Sequence, residues 1–355
     1  MKHDKKQNIG FPIFETMKQM EHEQLVICSD PATGLRALIA IHNTKLGPAL
    51  GGVRMWPYAT ENDALKDVFR LSRGMTYKAA VAGLNYGGGK AVIIGHPAED
   101  KTELLFRAFG RFIEGLAGRY ITAEDVGMEV RDMEWIRRET KYVTGISTEL
   151  GGSGDPSEAT ALGVYMGMKA SAKRIFGSDS LKNRKISVQG AGHVSTHLCR
   201  HLQKEGAELF ISDIDTEKQQ KLVHETGAVS VDVDQIYDLN VDIFSPCALG
   251  GILNDHTIPR LKCAIVAGAA NNQLDDEWVH GSMLKNRGIL YAPDYVINAG
   301  GVINLSGERE GYNREYAYEQ VKRIYDTISG VFDFADELHV PTNVASNRMA
   351  ELRFS

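Results

Sequence analysis

Ile186-Ser187-Val188-Gln189-Gly190-Ala191-Gly192-His193-Val194-Ser195 decides the fold of this chain. A short apolar strand runs into a glycine turn, and a helix follows. In a βαβ unit the first glycine allows the tight turn. The second lets a pyrophosphate approach the backbone at a helix N-terminus, where unpaired N–H groups attract anions. Ser195 occupies the third small position, which permits helix–strand packing. On its own the Gly-x-Gly-x-x-Ser pattern is weak. It gains weight from Leu209-Phe210-Ile211-Ser212-Asp213, a strand that ends in an acid about 20 residues on. A carboxylate there would hold the ribose hydroxyls of an adenosine. Asp213 would repel a 2′-phosphate, and neither Ile214 nor Asp215 supplies a compensating cation, so NAD is favoured over NADP.

Working outward, strand-like runs at 186–189, 209–212, 241–244, 264–267 and 290–292 alternate with helical stretches. That alternation predicts a parallel, doubly wound sheet. Upstream, 147–156 is rich in Gly, Ser and Pro and marks a domain boundary. Before it, strands are expected at 25–29, 36–41 and 91–94. Ala64, Val68, Leu71 and Met75 recur at helical spacing, and further helices are expected at 102–116 and 129–140. Beyond Asn313 the chain reads as helical, with Val321, Ile324, Ile328 and Phe332 on one stripe. A last short helix starts at Pro341.

Bulk properties narrow the function. A chain of 355 residues suits two domains. A net charge of -6 leaves no electrostatic footprint for nucleic acid. Cys28, Cys199, Cys247 and Cys263 form no CxxC pair, which suits a reducing compartment. No uninterrupted apolar run is long enough to span a bilayer and no secretory signal is legible, so the expected location is the cytoplasm. Residues 1–10, with Lys2, Lys5 and Lys6, read as a loose tail. His193, His197 and His201 recur every four residues, but no carboxylate or cysteine completes a zinc set, and no metal is expected.

Chemistry is carried by a second group of motifs. Gly74-Met75-Thr76-Tyr77-Lys78 is followed by Gly87-Gly88-Gly89-Lys90. One ammonium would fix the carboxylate of a small anionic substrate. A second, partly dehydrated and close to the first, should have a lowered pKa and move protons near neutrality. Either lysine alone would read as a solvated surface residue. Tyr120-Ile121-Thr122-Ala123-Glu124-Asp125 adds two adjacent carboxylates. Neighbours on an extended chain point to opposite sides, so only one can enter a shared pocket. Helix cap and catalyst both remain open for that acid.

Taken together with Gly47-Pro48-Ala49-Leu50-Gly51-Gly52, Thr122-Ala123-Glu124-Asp125 and Ala292-Pro293-Asp294-Tyr295-Val296-Ile297-Asn298-Ala299-Gly300-Gly301, these segments resemble the amino-acid dehydrogenases of the Glu/Leu/Phe/Val group. The resemblance runs from about Phe14 to Arg353. It implies an α/β fold of two domains with the active site in the cleft between them. The N-terminal α/β substrate and oligomerisation domain would cover 1–147, completed by the C-terminal helices at about 331–355. A Rossmann-like, doubly wound NAD-binding domain would cover 148–330.

The implied reaction is reversible oxidative deamination of an L-amino acid to a 2-oxo acid and ammonia, with NAD. By position, Lys78 would bind the substrate carboxylate, Lys90 would activate water, and Asp125 would exchange protons with the amino group. Gly51, Gly52, Met75 and Asn272 would line the substrate. Asn271, Thr144 and Thr160 would lie near the nicotinamide, and Cys247 and Ala248 beside the adenosine. With Gly190, Ala191, Gly192, His193, Val194, Ser195, Asp213 and Ile214 they complete the cofactor set. His193 stands where the family fingerprint carries asparagine.

Leu50 occupies the position at which glutamate-specific members place a lysine. An unpaired carboxylate buried against it would cost roughly 2–7 kcal/mol, which disfavours glutamate. Ala123, Val302 and Leu305 would complete an apolar pocket. Leu305 replaces the valine of branched-chain members, and one methylene shifts preference by only about 1–3 kcal/mol. Leucine, valine and isoleucine are therefore not ranked. The alternatives are the same reaction on phenylalanine or tryptophan, and a non-catalytic NAD-binding sensor. A homo-oligomer is expected. Its subunit number is open because the chain stops at Ser355, where relatives continue.

Overall fold

The computed structural model describes residues 11–355, so the lysines of the expected tail lie outside the described residues. Contacts divide the chain into two units. Among the described residues, the first comprises 11–76 and 85–150. The second comprises residues 77–84 and 151–355.

The first unit is built on a mixed sheet. Strands β1 (Gln24–Asp30), β2 (Leu35–Asn43), β3 (Ala49–Leu50), β4 (Val53–Trp56), β5 (Gly87–Ile94) and β6 (Tyr120–Ile121) form it. Its order is β1-β2-β5-β3-β6, with β4 also paired to β5. The short strands β3 and β4 are too brief to announce themselves by alternation. One face packs on the helix Glu103–Glu114 through Phe106, Phe109 and Ile113. The other packs on the helix Glu61–Val81 through Ala64, Val68 and Phe69.

The expected strand at 91–94 begins four residues earlier, at Gly87. Its glycines are buried strand residues, not a flexible loop. A Cβ on Gly88 would stand 2.1 Å from the backbone nitrogen of Thr76, so only glycine lets the helix lie on the strand here. Gly88→Ala must therefore push helix and sheet apart. Overpacking of this kind costs about 1–3 kcal/mol or more, and thermal denaturation should show a fall in Tm of several degrees.

The second unit contains a parallel sheet. Its strands are β7 (Lys185–Gln189), β8 (Glu208–Ser212), β9 (Val229–Ser230), β10 (Ile243–Pro246), β11 (Ile265–Val266) and β12 (Leu290–Tyr291). The order is β12-β11-β10-β7-β8-β9, with every ladder parallel. The chain moves outward from β7 in one direction to β9, then returns to β10 on the other side. The carboxyl ends of β7 and β10 thus form the switch point at which such sheets bind ligands. The strand expected at 241–244 starts two residues later. Asp242 instead accepts the Lys185 N–H through its carboxylate and ties the start of β7.

Helices Arg314–Lys322, Ile324–Leu338 and Thr342–Phe354 close the chain. Val321, Ile324, Ile328 and Phe332 are all buried, as their spacing requires. The last helix meets the 77–84 segment. Tyr77 donates to Glu351 at 2.8 Å, and Arg353 to the Ala80 carbonyl at 2.5 Å. Among the described residues no helix is long and apolar enough to cross a membrane.

Candidate active site

In the first unit, strand parity builds the site. Val92 and Lys90 lie two apart on β5, and Arg54 on β4 pairs with Val92. All three therefore face the helix Glu61–Val81. Parallel pairing of β4 with the segment after β6, through Val53 and Glu124, brings Asp125 to the same place. Lys90 is only 5% exposed, and its Nζ lies 3.1 Å from Asp125 Oδ1. Asp125, rather than Glu124, is the acid that meets this lysine.

Burial pushes the Lys90 ammonium below the ordinary lysine range. Asp125 opposes that shift, and Arg54 adds to it. Within this unit Arg54 is a cation that acts on Lys90, and nothing in the sequence announced it. Burial alone would raise the Asp125 carboxyl. Lys90 and Arg54 outweigh it and hold the group below the usual carboxylate range.

Around this pair the backbone is packed to contact. A Cβ on Gly51 would lie 1.8 Å from the Gly89 carbonyl oxygen, and one on Gly52 would lie 2.9 Å from the Asp125 Cβ. Tyr120 donates to the Gly51 carbonyl at 2.6 Å. Leu50 and Ala123 are buried, and Met75 is half-buried. Thr144 is buried and donates to the Thr122 carbonyl at 3.2 Å.

Lys78 lies inside the helix Glu61–Val81 and groups with the second unit. Its Nζ approaches Asn271 Oδ1 at 3.4 Å, and Asn298 donates to the same oxygen at 2.8 Å. Of the two asparagines, it is Asn271 whose side chain meets Lys78. Asn272 takes a left-handed backbone with φ 51°, and its carbonyl accepts the Gly251 N–H at 2.8 Å. Asp294 accepts the backbone N–H of Gln273 at 2.9 Å and of Tyr295 at 2.7 Å, which fixes the end of this turn. Thr160 donates to the Pro156 carbonyl at 2.9 Å. Val302 and Leu305 are buried.

The residues at the switch point fit a dinucleotide. Gly190 has φ 107°, and a Cβ there would meet Cys247 and the Ala248 nitrogen at 3.0 Å. Gly192 faces open space and precedes the helix His193–Glu205, whose N-terminus has no side-chain cap. Donors left uncapped at a helix start suit a phosphate. Ser195 is buried, as the packing position demands, while His193 is exposed and lies 3.5 Å from Asp155. Val194 is half-buried.

Asp213 is anchored by the N–H groups of Ala191 at 2.5 Å and Asp215 at 2.7 Å. Each of its oxygens retains a lone pair for a hydroxyl donor. Ile214 is exposed beside it, as is Ala248. Cys247 contacts Ser245 and the Ala269 N–H, and burial raises its thiol, which makes it a packing residue. His201 stacks on Tyr165, with ring centroids 5.2 Å apart. Among the described residues no group of His, Cys, Asp or Glu is placed to hold a metal ion.

Arg54, Tyr58 and Asp67 were missed in the sequence. Arg54 Nη1 lies 3.0 Å from Asp67 Oδ2, which also accepts from Tyr58 OH at 2.6 Å. The available signal was a lone cation in the apolar run Val53-Arg54-Met55-Trp56.

Comparison with known proteins identifies the family. Residues 22–142 match the model described as "Glu/Leu/Phe/Val dehydrogenase, dimerisation domain". Residues 151–216 and 210–325 match "Glutamate/Leucine/Phenylalanine/Valine dehydrogenase". The leucine dehydrogenase of Thermoactinomyces intermedius is 59% identical over 341 residues, 96% of this chain and 93% of that protein. The leucine dehydrogenase of Geobacillus stearothermophilus gives the same values. The crystal structure of L-tryptophan dehydrogenase from Nostoc punctiforme superposes with a TM-score of 0.83 at 50% identity, covering 96% of this chain and 98% of that one. With both halves matched, and with a glycine turn and a buried Lys–Asp pair in place, the chain belongs to the Glu/Leu/Phe/Val dehydrogenase family.

Proposed function

We propose that the protein carries out NAD-dependent, reversible oxidative deamination of a branched-chain L-amino acid to the 2-oxo acid and ammonia. The observation that carries the reading is the buried contact between Lys90 and Asp125 at 3.1 Å. A lysine with a lowered pKa beside an ionised carboxylate can hand protons on near neutral pH. Gly190, Gly192, the His193–Glu205 helix start and Asp213 would hold the dinucleotide. When bound, the nicotinamide supplies a two-electron acceptor for the Cα hydrogen of the substrate.

Each protein group has one task. Lys78 orients the substrate carboxylate, and Asn271 steadies its ammonium. Asp125 takes a proton from the substrate amino group. Lys90 then draws a proton from water, which adds to the imine carbon. Asp125 returns a proton to the nitrogen. Lys90, having passed its proton to solvent, accepts the carbinol O–H proton as the C=O bond forms and the C–N bond breaks, and ammonia leaves. Leu50, Ala123, Val302 and Leu305 are uncharged and apolar, which suits an aliphatic side chain and offers a second carboxylate no partner. Residues 1–147, completed by the helices at about 331–355, would carry the substrate, and 148–330 the cofactor. A homo-oligomer is supported by the dimerisation-domain model over 22–142.

Nicotinamide reduction across the L-amino acids tests the reading. Leucine, valine and isoleucine should turn over with NAD, and glutamate should not. NADP should be at least about tenfold poorer in kcat/KM, because a 1.4 kcal/mol clash with Asp213 suffices for that ratio. Strong turnover of phenylalanine or tryptophan with none of leucine would favour the aromatic reading. The identity to L-tryptophan dehydrogenase makes that the first comparison to run. Nucleotide binding without turnover of any amino acid would favour the sensor.

A further inference from the structure

We propose that Arg54 is a positioning residue for the proton-transferring carboxylate, and that Asp67 sets how much of its charge Asp125 feels. The inference rests on the reading that Asp125 exchanges protons with the substrate. Arg54 bridges two acids. Its Nε lies 2.9 Å from Asp125 Oδ2, and its Nη1 lies 3.0 Å from Asp67 Oδ2. Lys90 takes the other Asp125 oxygen, Oδ1. Arg54 thus turns one oxygen away and leaves Oδ1 as the atom that exchanges a proton. In that exchange the substrate N–H bond breaks, the Oδ1–H bond forms, and no electrons leave either partner.

Charge sets the basicity of that atom. Two full cations on one carboxylate would make it too weak a base near neutral pH. Asp67, held also by Tyr58 OH at 2.6 Å and Arg70 at 3.3 Å, draws on the far end of the guanidinium. The groups that act on Asp125 are Lys90 on β5 and Arg54 on β4, with Tyr58 and Tyr120 also coupled to it; Asp67 on the helix Glu61–Val81 acts on Arg54 and Lys90, and Arg70 pairs with Asp67. An arginine cannot lose its proton to relieve the arrangement, whereas lysine can. Arg54 therefore supplies constant positioning, and Lys90 supplies the change.

Opposite pH shifts test this. Profiles of kcat and kcat/KM are measured with leucine and NAD for the intact protein and for Arg54→Gln, Arg54→Lys and Asp67→Asn. Removing the Arg54 charge raises the pKa of both Asp125 and Lys90, so the acid limb moves to higher pH. Removing the Asp67 charge lowers both, so the limb moves to lower pH. In Arg54→Gln, kcat should fall about tenfold or more within the range of proton-transfer effects, while the KM for leucine changes less than threefold. Arg54→Lys should recover part of kcat. Limbs that move together, or that stay where they were, overturn the proposal. If Arg54→Gln does not fold, Asp67→Asn decides alone: a shift to lower pH supports it, and no shift or a rise overturns it. Wild-type activity in Lys90→Ala would instead overturn the site reading beneath it.

Discussion

Lys90→Ala is expected to lower kcat by about 100- to 10,000-fold, the range for loss of a positioned acid–base group, while the protein stays folded. The geometry explains the second half. Lys90 is buried at a cost in hydration, and its removal relieves that cost. Asp125 remains held by Arg54 at 2.9 Å. Asp125→Ala should lose comparable activity but behave differently in stability. It leaves the buried Lys90 cation without its anion and the half-buried Arg54 with Asp67 alone. Breaking a buried pair in this way costs about 3–5 kcal/mol. Thermal unfolding of the two variants, run beside NAD reduction with leucine, separates the effects. Equal Tm losses would mean that the carboxylate does not bind the cations together, and full activity in Lys90→Ala would remove the catalytic assignment.

The second large effect is on acid stability. His22 and His42 are buried against each other, with ring centroids 4.8 Å apart. His22 Nε2 lies 2.8 Å from Ser72 Oγ, and His42 Nδ1 lies 2.8 Å from Thr76 Oγ1. They pin the helix Glu61–Val81 to β2 and to the segment just before β1. Burial, with Arg73 adding at both and His22 adding more than Arg73 at His42, pulls their pKa values down to about 4 and about 3. Both are neutral when folded and would protonate near 6.5 when unfolded. Below that value the unfolded chain binds protons that the folded one refuses, so stability falls as pH drops from about 6.5 toward 4. At 1.36 kcal/mol per unit, the pair should lose about 5 kcal/mol between pH 7 and 4.5. Hydrogen exchange in the Glu61–Val81 helix reads this locally. His42→Gln should halve the pH dependence. An unchanged slope, or histidine resonances titrating near 6.5, would defeat the argument.

Legibility in the sequence followed the range of the interactions. Most of the parallel sheet of the second unit was readable because its inner strands are runs of buried apolar residues bounded by turns, whereas the two-residue, exposed edge strand β9 was missed. The stripe Val321, Ile324, Ile328 and Phe332 was readable because helical period maps directly onto one buried face. By contrast, β3 and β4 are two and four residues long, and nothing local distinguishes them from loop. Gly87–Gly89 invited a reading as flexible backbone. Their actual role, close packing against Thr76, Asn43 and Tyr120, involves residues far away along the chain.

By itself the sequence determined the chemistry available: two lysines, a carboxylate, and a glycine turn ending a strand with an acid beyond it. Side-chain type and local spacing suffice for that, because they depend only on neighbours along the chain. Tertiary structure decided that Asp125 meets Lys90, that Arg54 is a cation beside it, and that Asn271 is the asparagine that reaches Lys78. Those outcomes depend on strand pairing and on burial. Both are set by segments tens of residues apart, and the energy of a charge depends on how much water the fold leaves around it.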